Sequence, residues 1–221
     1  MLAIKRRLYQ LLLRDPDYRF LFEPPPPGEV VSIDCETTGL SPREDDIVAV
    51  AAVRLRGNRI LASERFEATV RPGVRLRPDA IKVHGLREKD VAGGRPIPEV
   101  LPELLRFIGS RPLVGYYLEF DLAMINKHVR RMLGIELPNP RIEVSAVYYE
   151  RKYGGAPPGT QIDLRFVSIL ADLGLPALDQ HDAYSDALMT AMIYLTLEDL
   201  KARNVRLPRQ RARQTAHYGG G

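Results

Sequence analysis

The chain has 221 residues, 45% of them hydrophobic and 27% charged, with a net charge of +4, which suits one globular domain with short flanking segments. No apolar run reaches the roughly 18 residues a membrane span needs, and the basic N-terminal stretch before Leu11-Leu12-Leu13 lacks a long apolar core and a small-residue cleavage site, so neither a membrane partner nor a secretory leader is expected. The single cysteine, Cys35, excludes an internal disulfide framework and fits a reducing, cytoplasmic setting.

In chain order, residues 2–14 read as a short helix with Leu2, Leu8, Leu11 and Leu12 on one face. Four consecutive prolines, 24–27, cannot continue a helix and predict a stiff, extended linker. Residues 1–28 therefore form an N-terminal arm, which either docks on another protein or folds back on its own domain. Val30-Val31-Ser32-Ile33 predicts a buried strand, broken by Thr37-Thr38-Gly39 and Ser41-Pro42. Residues 47–55 predict a second strand, Arg56-Gly57-Asn58-Arg59 a hairpin turn, and 60–70 a third strand. A helical turn is expected at 79–83 and a helix at 97–108, where Ile97, Leu101, Leu104, Leu105 and Ile108 recur at helical spacing. Pro112-Leu113-Val114-Gly115 predicts a further strand, and Leu122, Ile125, Val129 and Met132 the helix after it. Residues 164–173 and 183–200 predict two more helices. A strand meander followed by alternating helices and strands predicts an α/β fold, a mixed sheet flanked by helices, over 29–200.

Charge is uneven along this frame. Five of the 32 Lys/Arg lie in 1–28 and six in 201–221, against three and none of the 28 Asp/Glu, so the middle is net acidic and both ends are basic. The C-terminal tail, 201–221, either attracts phosphates or an anionic partner, or is simply a solvated terminus.

The chemistry is concentrated where the first strand ends. Asp34 and Glu36 are two apart and share one side of a strand. Paired carboxylates there repel and stay ionised cheaply only with a cation between them; their hard oxygens suit Mg²⁺ or Mn²⁺. Taken alone, an Asp-x-Glu pair is also commonly just solvated. Cys35, between them, is expected to point to the core side and to have no catalytic role.

Four segments in order raise the specificity of this pattern. Asp34-Cys35-Glu36-Thr37-Thr38-Gly39-Leu40 resembles the first motif of the DnaQ-like exonucleases, His84-Gly85-Leu86 their His-Gly-Ile segment, Phe120-Asp121 their second motif and His181-Asp182-Ala183-Tyr184-Ser185-Asp186 their third. The resemblance covers roughly residues 29–200. His181 stands five residues before Asp186, the spacing of the DEDDh subtype, whereas Tyr184 is only two before it.

The resemblance implies a ribonuclease H-like fold and a metal-dependent 3′→5′ exonuclease that releases nucleoside 5′-monophosphates. Four carboxylates, Asp34, Glu36, Asp121 and Asp186, would hold two Mg²⁺ or Mn²⁺ ions, which in such sites lie about 3.5–4 Å apart. Asp34 would bridge the ions, Glu36 and Asp186 would bind the one that activates water, and Asp121 the other. His181 would take the water's proton, a task that suits an imidazole whose ordinary pKa is near 6.5. Thr37 would meet the 3′-terminal nucleotide, Leu40 would wedge against its base and His84 would lie near it; plain packing is the alternative for Leu40 and His84.

The second motif departs from the family at Tyr116-Tyr117-Leu118-Glu119-Phe120-Asp121, with Tyr117 in place of the usual Asn. Tyr117 either stacks on a base or is a buried sheet residue. Asp182 and Asp163 are expected to be helix N-caps. The resemblance favours single-stranded DNA as substrate, with a DNA polymerase or another replication or repair protein as partner. The alternatives are an RNA 3′-end-trimming exoribonuclease, told apart through 2′-OH contacts, and a partner-tethered nucleic-acid-binding module, for which Gln10-Leu11-Leu12-Leu13 is only an incomplete clamp-binding peptide.

Overall fold

The computed structural model describes residues 2–179 and 182–209. It opens with α1 (Leu2–Leu12) and a 3₁₀ helix (Pro16–Phe22), followed by β1 (Glu29–Thr37), β2 (Ile47–Arg56), β3 (Arg59–Thr69), α2 (Pro78–His84), α3 (Glu88–Val91) and α4 (Ile97–Ile108). Then come β4 (Leu113–Gly115), α5 (Leu118–Leu133), β5 (Arg141–Glu143), α6 (Val144–Lys152), α7 (Phe166–Asp172) and α8 (Ala183–Ala202). The strands form one mixed sheet in the order β3-β2-β1-β4-β5. β1 pairs antiparallel with β2 and parallel with β4, and β4 pairs parallel with β5. This is the ribonuclease H-like α/β arrangement expected above.

The pattern of residue types explains the layout. β1 is buried along nearly its whole length, as a central strand covered on both faces must be. β3, at the edge, alternates exposed and half-buried residues and carries Arg65 and Glu67. The β2–β3 hairpin closes through Gly57 at φ +59°, a conformation glycine adopts without a Cβ clash. On one face, Val31, Ile33 and Cys35 pack with Leu101, Leu104, Leu105 and Ile108 of α4 and with Leu122, Ile125 and Val129 of α5. On the other, Val114 packs with Val144 and Tyr148 of α6, Ile169 and Leu170 of α7, and Met189, Ile193 and Leu197 of α8. Among the described residues no helix is long and apolar enough to cross a membrane.

The 1–28 segment lies against the sheet domain. Tyr18, Leu21 and Phe22 join the cluster under β1. The backbone N–H of Arg14 donates to the Leu133 carbonyl at 3.0 Å, and Glu136 accepts from Lys5 Nζ at 3.2 Å and from the Tyr9 hydroxyl at 3.1 Å.

Four elements escape the sequence pattern: the 3₁₀ helix, α3, β5 and α6. β5 has only three residues and runs straight into α6, so neither period develops. α6 also buries polar atoms, since the Lys152 ammonium and the Tyr148 hydroxyl both meet the Asp172 carboxylate between α6 and α7.

Candidate active site

β1 is the strand at which pairing changes from antiparallel to parallel. In open α/β sheets such a switch leaves a crevice beyond the carboxyl ends of the strands. Asp34 and Glu36 sit at that end, on the face opposite Val31, Ile33 and Cys35. Their partners across β2 are Ala51 and Ala49, whose small side chains leave space on the shared face. The same face of β1 is tied to α8, because the buried Ser32 hydroxyl donates to the Ala187 carbonyl at 2.8 Å. That bond lies one residue past Asp186, which α8 carries in its first turn.

As a result, carboxylate oxygens of Asp34, Glu36 and Asp186 lie within 4.8 Å of one another. Asp121 approaches from α5. It is buried, and its Oδ1 accepts the Cys35 backbone N–H at 3.1 Å, so it faces β1 without joining that triad. Burial, then the neighbouring charges of Asp121, Glu36, Asp186 and Asp182, push the Asp34 carboxyl well above the usual carboxylate range. Burial, then Asp186 and Asp182, push Glu36 up to about 8. Burial raises Asp121 as well, against the opposing pull of the Cys35 N–H. Burial also keeps the Cys35 thiol protonated.

Glu29, at the other end of the same strand, shows the contrast. Its carboxyl is less deeply enclosed, and although burial pushes it up, Arg56 Nε and Arg111 Nε each donate to it at 2.7 Å and hold it below the ordinary value. Among the described residues, the charges that raise the Asp34 carboxyl are those of carboxylates. A converging set of hard oxygen donors fits a divalent ion.

Of the residues expected at the substrate, Thr37 directly follows Glu36 and His84 meets Thr37. Thr37 ends β1 and is buried, with its hydroxyl donating to the Gly39 carbonyl at 2.7 Å. His84 ends α2. Its Nδ1 accepts the Leu86 N–H at 3.1 Å, which places the ring proton on Nε2, and Nε2 donates to the Thr37 carbonyl at 3.1 Å. Leu40 is 85% exposed, so packing does not account for it. His181 lies outside the described residues. Asp182 beside it caps α8, accepting the Ser185 N–H at 3.0 Å and the Ser185 hydroxyl at 2.9 Å.

The sequence profile of the RNase T exonuclease family matches residues 31–194. The chain belongs to this DnaQ-like exonuclease family. The exonuclease is 32% identical over 174 residues to the DNA polymerase III subunit epsilon of Aquifex aeolicus, covering 78% of this chain and 82% of that protein. It is 26% identical to a DNA polymerase III PolC-type of Thermotoga maritima, covering 77% of this chain but only 12% of that much longer protein. Among solved structures, Escherichia coli exonuclease I in complex with a dT13 oligonucleotide superposes with a TM-score of 0.66 at 16% identity, over 80% of this chain and 42% of that one. Cell-death related nuclease 4 superposes equally well, with a TM-score of 0.66 at 14% identity over 82% and 66% of the two chains. The exonuclease is thus a 3′→5′ phosphodiester hydrolase of a divalent-metal-dependent family.

Two readings of the exonuclease sequence need correction. Tyr117 is not a buried sheet residue: β4 ends at Gly115, and Tyr117 falls beyond it, at the N-cap of α5, with 69% of its surface exposed. Asp163 is not the N-cap of α7, a place held by Arg165. It acts from two residues further out, with its Oδ1 accepting the Arg165 N–H and its Oδ2 the Ser168 hydroxyl.

Two supporting groups were missed. The buried Asp45 carboxylate accepts from the Thr38 hydroxyl, the Ser41 N–H and Arg77 Nε, which pins the loop that presents Leu40. Glu143 serves two helix starts at once: its Oε2 accepts the Leu118 N–H of α5 and its Oε1 the Ser145 N–H of α6. A polar pair before residue 47 hinted at the first group. Glutamate is an unusual N-cap, so nothing pointed to the second.

Proposed function

We propose that this exonuclease removes nucleoside 5′-monophosphates one at a time from the 3′ end of single-stranded DNA, with two Mg²⁺ or Mn²⁺ ions held by Asp34, Glu36, Asp121 and Asp186. Its setting is the cytoplasm, beside a DNA polymerase or another replication or repair protein. Residues 29–200 carry the catalytic groups, with the arm 1–28 packed against them and the basic tail 201–221 following. The observation that carries the proposal is the convergence of carboxylate oxygens of Asp34, Glu36 and Asp186, from chain segments about 150 residues apart, within 4.8 Å of one another. The relationship to a DNA polymerase III epsilon subunit supports the polymerase setting.

The ions, when bound, neutralise the phosphate and make water a stronger acid. The chain's own part is to bind, orient and move a proton. Asp34, Glu36 and Asp186 supply oxygen ligands from one side and Asp121 from the other. His181 accepts the proton of the attacking water. Leu40 presses on the terminal base. His84, by holding the Thr37 carbonyl, keeps the strand end and its loop in one position. The Cys35 N–H holds Asp121 in place.

The test is a time course on 5′-labelled single strands, DNA and RNA, with free or blocked 3′ ends, with Mg²⁺ or Mn²⁺ and with EDTA. A ladder shortening from free DNA 3′ ends, abolished by EDTA and by Asp34→Ala, is expected. Equal degradation of blocked ends, or indifference to EDTA, would overturn the reading. Preference for RNA would replace DNA as the substrate.

A further inference from the structure

Tyr117 holds an unusual backbone position. It precedes α5 at φ 55° and ψ 33°, a left-handed conformation that costs a non-glycine residue about 1–3 kcal/mol. Among the described non-glycine residues only Asn204 shares a positive φ. The ring is exposed but firmly seated. It stands edge-on to Tyr116 at 4.7 Å, and Tyr116 is itself fixed by its hydroxyl, which donates to the Leu164 carbonyl at 3.0 Å, and by the Phe166 ring at 4.8 Å. Across from Tyr117 runs the loop 161–165. Tyr117, Gln161, Ile162, Asp163, Leu164 and Arg165 line an open cleft of about 510 Å³.

We propose that this cleft is a base-binding subsite, taking an unpaired nucleobase of the substrate strand upstream of the nucleotide being removed, between the Tyr117 ring and Ile162. The inference rests on the exonuclease reading above and deepens it. Location supports it. β4 runs parallel to β1, with Val31 beside Leu113 and Ser32 beside Val114, so the chain leaves β4 at the edge where Asp34 and Glu36 stand. Asp121 follows one turn further along α5. Charge decides between base and phosphate. Arg165 is committed to Asp163, with Nε to Oδ1 at 3.0 Å and Nη2 to Oδ2 at 2.6 Å, which leaves the cleft with no net charge. A phosphate needs a free cation, whereas a base needs an aromatic face, an apolar neighbour and a polar group for its edge, here Tyr117, Ile162 and Gln161. Stacking of this kind contributes about 1–3 kcal/mol per base and tolerates any sequence. A base inside a duplex is already stacked on both faces, so the cleft favours single-stranded ends.

The test uses the full chain with Mg²⁺ and compares wild type, Tyr117→Ala and Tyr117→Phe. Substrates are a single-stranded 8-mer, a series of 8-mers with one abasic position moved stepwise from the 3′ end, and the p-nitrophenyl ester of thymidine 5′-monophosphate, which has no upstream base. Tyr117→Ala is expected to raise KM for the intact 8-mer roughly 5- to 150-fold, the equivalent of that stacking energy, with kcat little changed. Tyr117→Phe should behave as wild type, and all three should hydrolyse the ester equally. One abasic position should cost wild type the same factor and cost Tyr117→Ala nothing. An abasic penalty that persists in Tyr117→Ala, or an equal loss on the ester, would overturn the subsite. If wild type cleaves neither substrate, the exonuclease reading fails separately. The subsite is then read from 2-aminopurine placed along the 8-mer: quenching in wild type and Tyr117→Phe but not in Tyr117→Ala upholds it, and no quenching at any position overturns it.

Discussion

Replacing Glu36 with glutamine should make the metal-free protein more stable at pH 8 while abolishing its activity. Glu36 is buried, and burial, Asp186 and Asp182 raise its carboxyl from the ordinary 4.5 to about 8. Between those two values the folded chain holds a proton that the unfolded chain has released, so stability falls as pH rises through that window. Below pH 4.5 both states are protonated and the cost vanishes; above pH 8 it is complete. At about 1.36 kcal/mol per pH unit the gap corresponds to roughly 4–5 kcal/mol. Asp34 and Asp121 lie in the same cluster and are raised as well, and sharing of protons among interacting carboxylates relieves part of the cost. Glu36→Gln is therefore expected to gain about 2–3 kcal/mol at pH 8 and less than about 1 kcal/mol at pH 5. Urea denaturation in EDTA at the two pH values reads this directly. Adding Mg²⁺ should then stabilise wild type, by about 2.7 kcal/mol at a hundred times its Kd, and the variant much less. A variant less stable than wild type at pH 8, or shifted equally at both pH values, would refute the account of the cluster as repelling carboxylates.

Three further outcomes follow from other parts of the structure. His181→Ala should lower kcat by roughly 10²–10⁴-fold and leave the Mg²⁺-dependent rise in Tm intact; unchanged turnover would remove its role as base. In Gly39→Ala the new Cβ would lie 2.6 Å from Asp45 Oδ2 and 2.7 Å from Arg77 Cδ; Asp45 is held by Thr38, Ser41 and Arg77 and cannot yield, so the variant should lose about 1–3 kcal/mol in thermal denaturation, with a higher KM through the displaced Leu40. Ser32→Ala loses the buried bond to the Ala187 carbonyl and should cost about 1 kcal/mol by urea midpoint, with a modest fall in kcat as Asp186 loosens.

The sequence was informative where chemistry or a long period marks a residue. The β-branched run at 30–33, the Gly57-Asn58 turn and the apolar spacing of α4 each express one local preference strongly enough to read, and each element is present. Asp34, Glu36 and Asp186 could be read as partners because a motif places them; the fold shows how, through β1 alternation and the first turn of α8. What stayed hidden depends on tertiary contact. Glu143 has meaning only because β5 ends where α5 and α6 both begin. Asp45 looks like a turn residue until Arg77, from 32 positions away, meets it. Tyr117 was ambiguous because nothing in the local pattern fixes where β4 stops.

The arm ahead of β1 has a practical consequence. Tyr18, Leu21 and Phe22 are almost fully enclosed beneath the sheet, and each such side chain contributes about 1.5–3 kcal/mol. Together they approach the roughly 5–15 kcal/mol that separates a folded domain from its denatured chain. A fragment cut to begin at the first catalytic strand would therefore be left with an open hollow under its nuclease centre. Expression trials that trim the protein to the boundaries of its family match would yield aggregates, and the missing enzyme activity would be misread as a defect of chemistry.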